Sequence, residues 1–87
     1  MAVVYIPSLL RDLTPGQETV QVSGATVAEV IEQLESRYPG IKGRLCVGSD
    51  LKPGLAVAVD SQVGRLGLRE KVGENSEVHF VPAIAGG

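Results

Sequence analysis

The sequence predicts an α+β domain in which one amphipathic helix covers one face of a mixed sheet of four to five strands. Short runs rich in Val, Ile, Leu and Ala recur along the chain, bounded by Gly, Pro and polar turn residues. A single stretch, residues 26–38, carries helical periodicity instead. The elements follow one another as strand, strand, helix, strand, weaker strand, strand, an order that lays one helix on one sheet.

Ala2–Ile6 (AVVYI) is a β-branched and aromatic run stopped by Pro7, and Thr19–Val22 (TVQV) alternates with Val20 and Val22 on one face. The loop over Pro7–Gln17 joins them as a wide antiparallel hairpin, with Thr14-Pro15-Gly16 supplying turn chemistry. Thr26 and Glu29 have the spacing of a capping box. Val27, Val30, Ile31, Leu34 and Tyr38 then form the apolar stripe of a helix, and Glu29, Glu32, Glu35 and Arg37 are expected to face water. Pro39-Gly40 ends that helix. Ile41–Leu45 can make one short helical turn, and Ser49–Gly54 reads as loop. Leu55–Val59 (LAVAV) is a strand, Val63–Leu68 a weaker strand rich in glycine, Gly73–Ser76 a turn, and Glu77–Val81 (EVHFV) the last strand. This is a β-grasp, ubiquitin-like pattern. It gives a domain over residues 1–81 and a flexible C-terminal tail over residues 82–87.

The 87 residues suffice for one domain with a modest core. That core is aliphatic, since the chain has two tyrosines, one phenylalanine and no tryptophan. Cys46 is the only cysteine, so no internal disulfide and no cysteine-rich zinc cluster can form, and it reads as a small buried hydrophobe. A net charge of −2 with mixed signs gives no footprint for nucleic acid. The N-terminal stretch lacks a basic leader pattern, and nowhere do about 18 apolar residues run together. The expectation is a cytoplasmic protein without a membrane span.

Nothing in the sequence points to an enzyme in its own right. The phosphate-binding and dinucleotide glycine motifs are missing. His79 has neither a second His nor a Cys at metal-ligand spacing, so no metal site is expected. The serines lie in turn-like or polar surroundings. The chemistry falls to the end of the chain, VPAIAGG, where a Gly-Gly terminus arises by chance in only about half a percent of chains. Pro82 is expected to stop ladder pairing after the last strand. Pro82, Ala83, Ile84, Ala85, Gly86 and Gly87 can then reach up to about 20 Å into a partner. Without Cβ atoms at Gly86 and Gly87, a narrow channel can close around the backbone. A carboxylate is a poor acyl donor until ATP converts it to an adenylate, and a terminal glycine is the least hindered centre for attack by sulfur or an amine.

Strand alternation also leaves one sheet face uncovered by the helix. Ala56 and Ala58 on one strand, with His79 and Val81 on the last, are expected to form a shallow docking face beside the tail.

The strand–helix order, the G-x-T-V-x-E-V-I segment at Gly24–Ile31 and the tail after Glu77–Val81 resemble the MoaD/ThiS family of ubiquitin-like sulfur carriers. I-P-S-L-L-R (Ile6–Arg11), Y-P-G-I (Tyr38–Ile41) and P-A-I-A-G-G (Pro82–Gly87) look most like the CysO-type carriers of cysteine biosynthesis. The resemblance implies that Gly87 is adenylated by an E1-like enzyme and then converted to a thiocarboxylate, with Gly86 and Pro82–Ala85 threading into partners. It further implies a pyridoxal-phosphate cysteine synthase as sulfur acceptor and a zinc (JAMM-type) peptidase that trims the product. ATP, zinc and pyridoxal phosphate then belong to those partners and not to this chain. The small subunit of a molybdopterin synthase and a ubiquitin-like protein modifier are the two alternatives that share the same first chemical step.

Overall fold

The computed structural model describes residues 1–7, 10–64 and 66–82. β1 (Ala2–Tyr5) and β2 (Thr19–Val22) pair antiparallel, Val4 opposite Val20, and the strand positions of β2 alternate between exposed and buried. Ile6 lies just past β1 yet stays buried, its N–H donating to the Glu18 carbonyl at 2.8 Å. In the connecting loop the Gln17 N–H returns to the Thr14 carbonyl at 2.9 Å, and Gly16 takes a φ of +75°. That positive φ behind Pro15 agrees with the turn chemistry read from Thr14-Pro15-Gly16.

α1 (Val27–Arg37) buries Val27, Val30, Ile31 and Leu34 against the sheet, and Tyr38 packs at the margin of the same core. Each fully buried aliphatic side chain there contributes about 1.5–3 kcal/mol relative to exposure. The Thr26 hydroxyl accepts the Glu29 N–H at 3.2 Å, while the Glu29 carboxylate accepts from Ala25 N–H at 3.0 Å, one residue earlier than a reciprocal box requires. The helix start is also paired with a later segment. Thr26 bridges Lys71, the Val27 N–H donates to the Glu70 carbonyl, and the Val72 N–H donates to the Ala25 carbonyl.

α2 (Ile41–Leu45) forms as expected and buries Ile41 and Leu45. Glu35 does not simply face water. Its carboxylate accepts the Lys42 and Gly40 N–H groups at 2.9 and 3.1 Å, which holds its pKa below the ordinary value. β3 (Cys46–Val47) and β4 (Asp50–Leu51) make a small separate hairpin, so the start of the expected loop Ser49–Gly54 is partly strand.

β5 (Leu55–Val59) turns through Asp60 and Ser61, both at positive φ, into β6 (Gln62–Val63). Two successive positive φ values match the right-handed twist of a tight hairpin. The expected strand over Val63–Leu68 is therefore corrected: among its described residues only Val63 is in a strand, and Gly67–Arg69 is a 3-10 turn. Glu70 explains it. Its carboxylate folds over Gly64, where a Cβ would collide with it, and accepts the Leu66 N–H at 2.8 Å.

β7 (Glu77–Pro82) is one residue longer than expected and completes a five-stranded mixed sheet of order β2-β1-β7-β5-β6. It runs parallel to β1 and antiparallel to β5. The β-grasp expectation holds, with α1 across one face.

Candidate functional site: the end of β7 and the open sheet face

The position of β7 decides what the chain end can do. Neighbours flank it on both sides: β1 pairs with Glu77–His79, and β5 alone carries the pairing on to Pro82. At its start, Asp60 accepts the Glu77 N–H at 2.9 Å and the Ser76 hydroxyl at 2.7 Å. Those two donors, the amide first, hold the Asp60 pKa below its ordinary value. At its end, Pro82 stands in register with Leu55. Pro82 was expected to stop pairing directly after the strand; it is instead itself part of β7 and the last described residue, with no N–H to donate. Ala83, Ile84, Ala85, Gly86 and Gly87, the expected inserting segment and reactive glycine, lie outside the described residues.

Alternation sorts the two sheet faces. Val57, Val78 and Phe80 belong to the core cluster, while Ala56, Ala58, His79 and Val81 do not. Register places Ala56 opposite Val81 and Ala58 opposite His79, so the four expected docking residues form one block on the face away from α1. Their exposure is uneven. Ala58 is only 7% exposed, and its cross-strand neighbours are His79 on one side and Val63 on the other. A small residue between two larger ones forms the floor of a shallow depression.

Two members of this face were missed. Tyr5 stacks on His79, with ring centroids 4.1 Å apart and planes inclined by 9°. The parallel β1–β7 ladder sets Tyr5 against His79, and no local pattern in the sequence reports that pairing. Val63, 63% exposed, forms the far wall; its exposure follows from how briefly β6 runs. Glu77 adds a carboxylate whose Oε1 lies 3.8 Å from His79 Nε2. The face thus combines small and branched apolar side chains with one stacked ring pair.

Cys46 lies elsewhere, buried and free beside α2, where burial pushes its thiol up from the ordinary value. Among the described residues no cluster of three or more His, Cys, Asp or Glu side chains could hold a metal, and no helix is long and apolar enough to cross a membrane.

Comparison with known proteins agrees with this architecture along the whole chain. The sulfur carrier protein CysO of Mycobacterium tuberculosis is 37% identical over 91 residues, covering 97% of this chain and 96% of that protein. A chain in the crystal structure of the Amycolatopsis orientalis BexX/CysO complex superposes with a TM-score of 0.90 at 38% identity, covering 100% of both chains. The crystal structure of Mycobacterium tuberculosis CysO gives a TM-score of 0.87 at 34% identity, covering 97% of this chain and 100% of that one. Residues 4–87 match the ThiS family. A β-grasp fold, a terminal Gly-Gly and likeness across nearly the full length converge: the chain belongs to the ThiS family and is a homologue of the sulfur carrier protein CysO.

Proposed function

We propose that this protein is a sulfur carrier whose C-terminal Gly87 is activated and thiolated by partner enzymes. The observation that carries the reading is the 37% identity to a sulfur carrier protein over 97% of the chain, with Gly-Gly ending the segment that follows β7. In the first step the Gly87 carboxylate attacks the α-phosphorus of ATP, forming the acyl-adenylate and releasing pyrophosphate. In the second, hydrosulfide attacks the acyl carbon and AMP leaves with the bonding pair, giving the thiocarboxylate. The thiocarboxylate sulfur then bonds to an electrophilic carbon of an acceptor, and water adding to the acyl carbon frees the sulfur-bearing product and restores the Gly87 carboxylate; a cysteine synthase is the acceptor enzyme favoured by the CysO likeness. This chain supplies the acyl centre, its presentation and the docking face, so it acts as a co-substrate; ATP, pyridoxal phosphate and zinc are bound by partners.

The open face of Ala56, Ala58, His79 and Val81, extended by Tyr5 and Val63, supports docking of an E1-like activating enzyme. It lies on the strands that flank the tail, so a partner seated there receives the chain end in a fixed direction. Reconstitution tests the proposal. Incubation with the activating enzyme, ATP and a sulfide source should release AMP and replace one oxygen by sulfur at the terminus. A chain lacking Gly87 should fold and remain unmodified. Sulfur gain by that truncated chain, or exclusive formation of amide-linked conjugates by the intact one, would overturn it.

A further inference from the structure

A second surface lies on the helix side of the sheet, where α1, the β3–β4 hairpin and the 3-10 turn Gly67–Arg69 enclose a groove of about 610 Å³. That volume falls within the range of about 300–1,000 Å³ typical of pockets that bind organic groups. Buried Ile31 and Cys46 lie in its lining with Leu68, and Leu66, 52% exposed, stands at its mouth. Val47, 58% exposed, is in register with Asp50 of the same lining. The described residues leave four large apolar side chains exposed, and two of them, Val47 and Leu66, therefore stand at this groove. Charge of both signs rims it. Lys42 and Glu32 pair with each other, whereas Asp50 and Arg69 make no ion pair among the described residues.

We propose that this groove docks a partner protein by one large apolar anchor side chain, with a basic residue beside it for Asp50 and an acidic residue for Arg69. Exposed apolar side chains rimmed by polar groups mark protein contact surfaces, and an anchor held in a pocket carries most of the binding energy at such contacts. The Arg69 guanidinium can take a carboxylate in a two-point fork, and the Asp50 carboxylate can take an ammonium. Both rim charges are exposed, so they set register and exclude wrong partners more than they add affinity. A segment with two acids would be repelled at Asp50, and a segment with two bases at Arg69. The groove and the block of Ala56, Ala58, His79 and Val81 lie on opposite faces of the sheet. A partner seated here therefore leaves that block open, and the docking does not depend on the sulfur-carrier reading.

Methyl NMR of the intact protein, titrated with the peptide acetyl-Lys-Ala-Leu-Ala-Glu-amide, tests the groove. Methyls of Ile31, Leu66 and Leu68 should shift saturably, and alkylation of Cys46 by iodoacetamide should slow as the groove fills. Replacing the leucine of the peptide by alanine should weaken binding at least about tenfold, and so should Leu66→Asp in the protein, an exposed position where the fold is kept. Peptides carrying two lysines or two glutamates should bind more weakly than the mixed one. Unmoved methyls at millimolar peptide overturn the proposal. Equal affinities for the leucine and alanine peptides, equal affinities for the three charge patterns, or wild-type binding by the Leu66→Asp protein also overturn it. Shifts confined to Ala56 and Val81 do so too, because the peptide would then sit on the sheet face. No nucleotide or activating enzyme is present, so failure here leaves the chemistry at Gly87 standing.

Discussion

Gly24 is where a single methyl group should cost the fold most visibly. It precedes α1, and a Cβ built on it would lie 3.0 Å from the Val30 backbone nitrogen, 3.1 Å from a Val30 methyl and 3.2 Å from the Glu29 Cβ. Ordinary carbon contacts lie at about 3.5–4.0 Å. The nitrogen cannot retreat easily, because its N–H donates to the Thr26 carbonyl at 3.0 Å in the first turn of the helix. Overpacking of this kind costs about 1–3 kcal/mol. Replacing glycine also stiffens the unfolded chain, which returns about 0.4–1 kcal/mol. Gly24→Ala should therefore lose about 1–2 kcal/mol, equivalent to a Tm about 5–15 °C lower for a domain of this size. Gly43→Ala is the control, since Gly43 sits within α2 with nothing inside 4 Å of a built Cβ. There alanine should stabilise by about 0.5–1 kcal/mol. Urea and thermal unfolding of the two variants measure both signs. A Gly24→Ala protein as stable as wild type would refute the close-approach argument.

Other predictions follow from the site. Gly86→Val places a branched Cβ beside the reacting carbonyl; activation should fall at least about tenfold, or about 1.4 kcal/mol in the barrier, with Tm unchanged. Unaltered activation kinetics would mean the partner channel is wide at that point. Ala56→Arg sets a long charged side chain beside Val81 on the half-buried part of that face, and should weaken binding to the activating enzyme by about 2 kcal/mol, a hot-spot-sized loss, while Tm moves little. Calorimetric titration giving a wild-type Kd would put docking elsewhere. Asp60 titrates below its ordinary 3.8 because the Glu77 amide and Ser76 hydroxyl favour its anion. Its contribution to stability is thus present above about pH 3.8 and disappears as pH falls through the lower folded value. Asp60→Asn should flatten that part of the acid unfolding curve; an unchanged acid limb would exclude the linkage.

What could be read without coordinates tracks how local each cause is. α1 was legible because its stripe, its Thr26 cap and its Pro39-Gly40 stop all lie within a few residues of one another. The faces of β2, β5 and β7 followed from two-residue alternation. The hairpin Cys46–Leu51 was not legible, since two-residue strands carry no period. Nor was the fate of Val63–Leu68, which a carboxylate several positions away decides by lying across Gly64. At the site, alternation grouped Ala56, Ala58, His79 and Val81 on one face. It could not supply Tyr5, because only the parallel β1–β7 ladder brings the start of the chain against its end.

A sulfur carrier differs from its uncharged form by one atom at the terminus, and mass spectrometry reads that atom directly. The protein is isolated from its own cells without reductant, digested, and its C-terminal peptide weighed and fragmented. A fraction of that peptide should be heavier by one oxygen-to-sulfur exchange, with the fragments placing the sulfur on Gly87 and a thiocarboxylate-selective reagent removing the heavier form. A terminus found only as the plain carboxylate under sulfur-demanding growth, or sulfur placed on any other residue, would contradict the sulfur-carrier role.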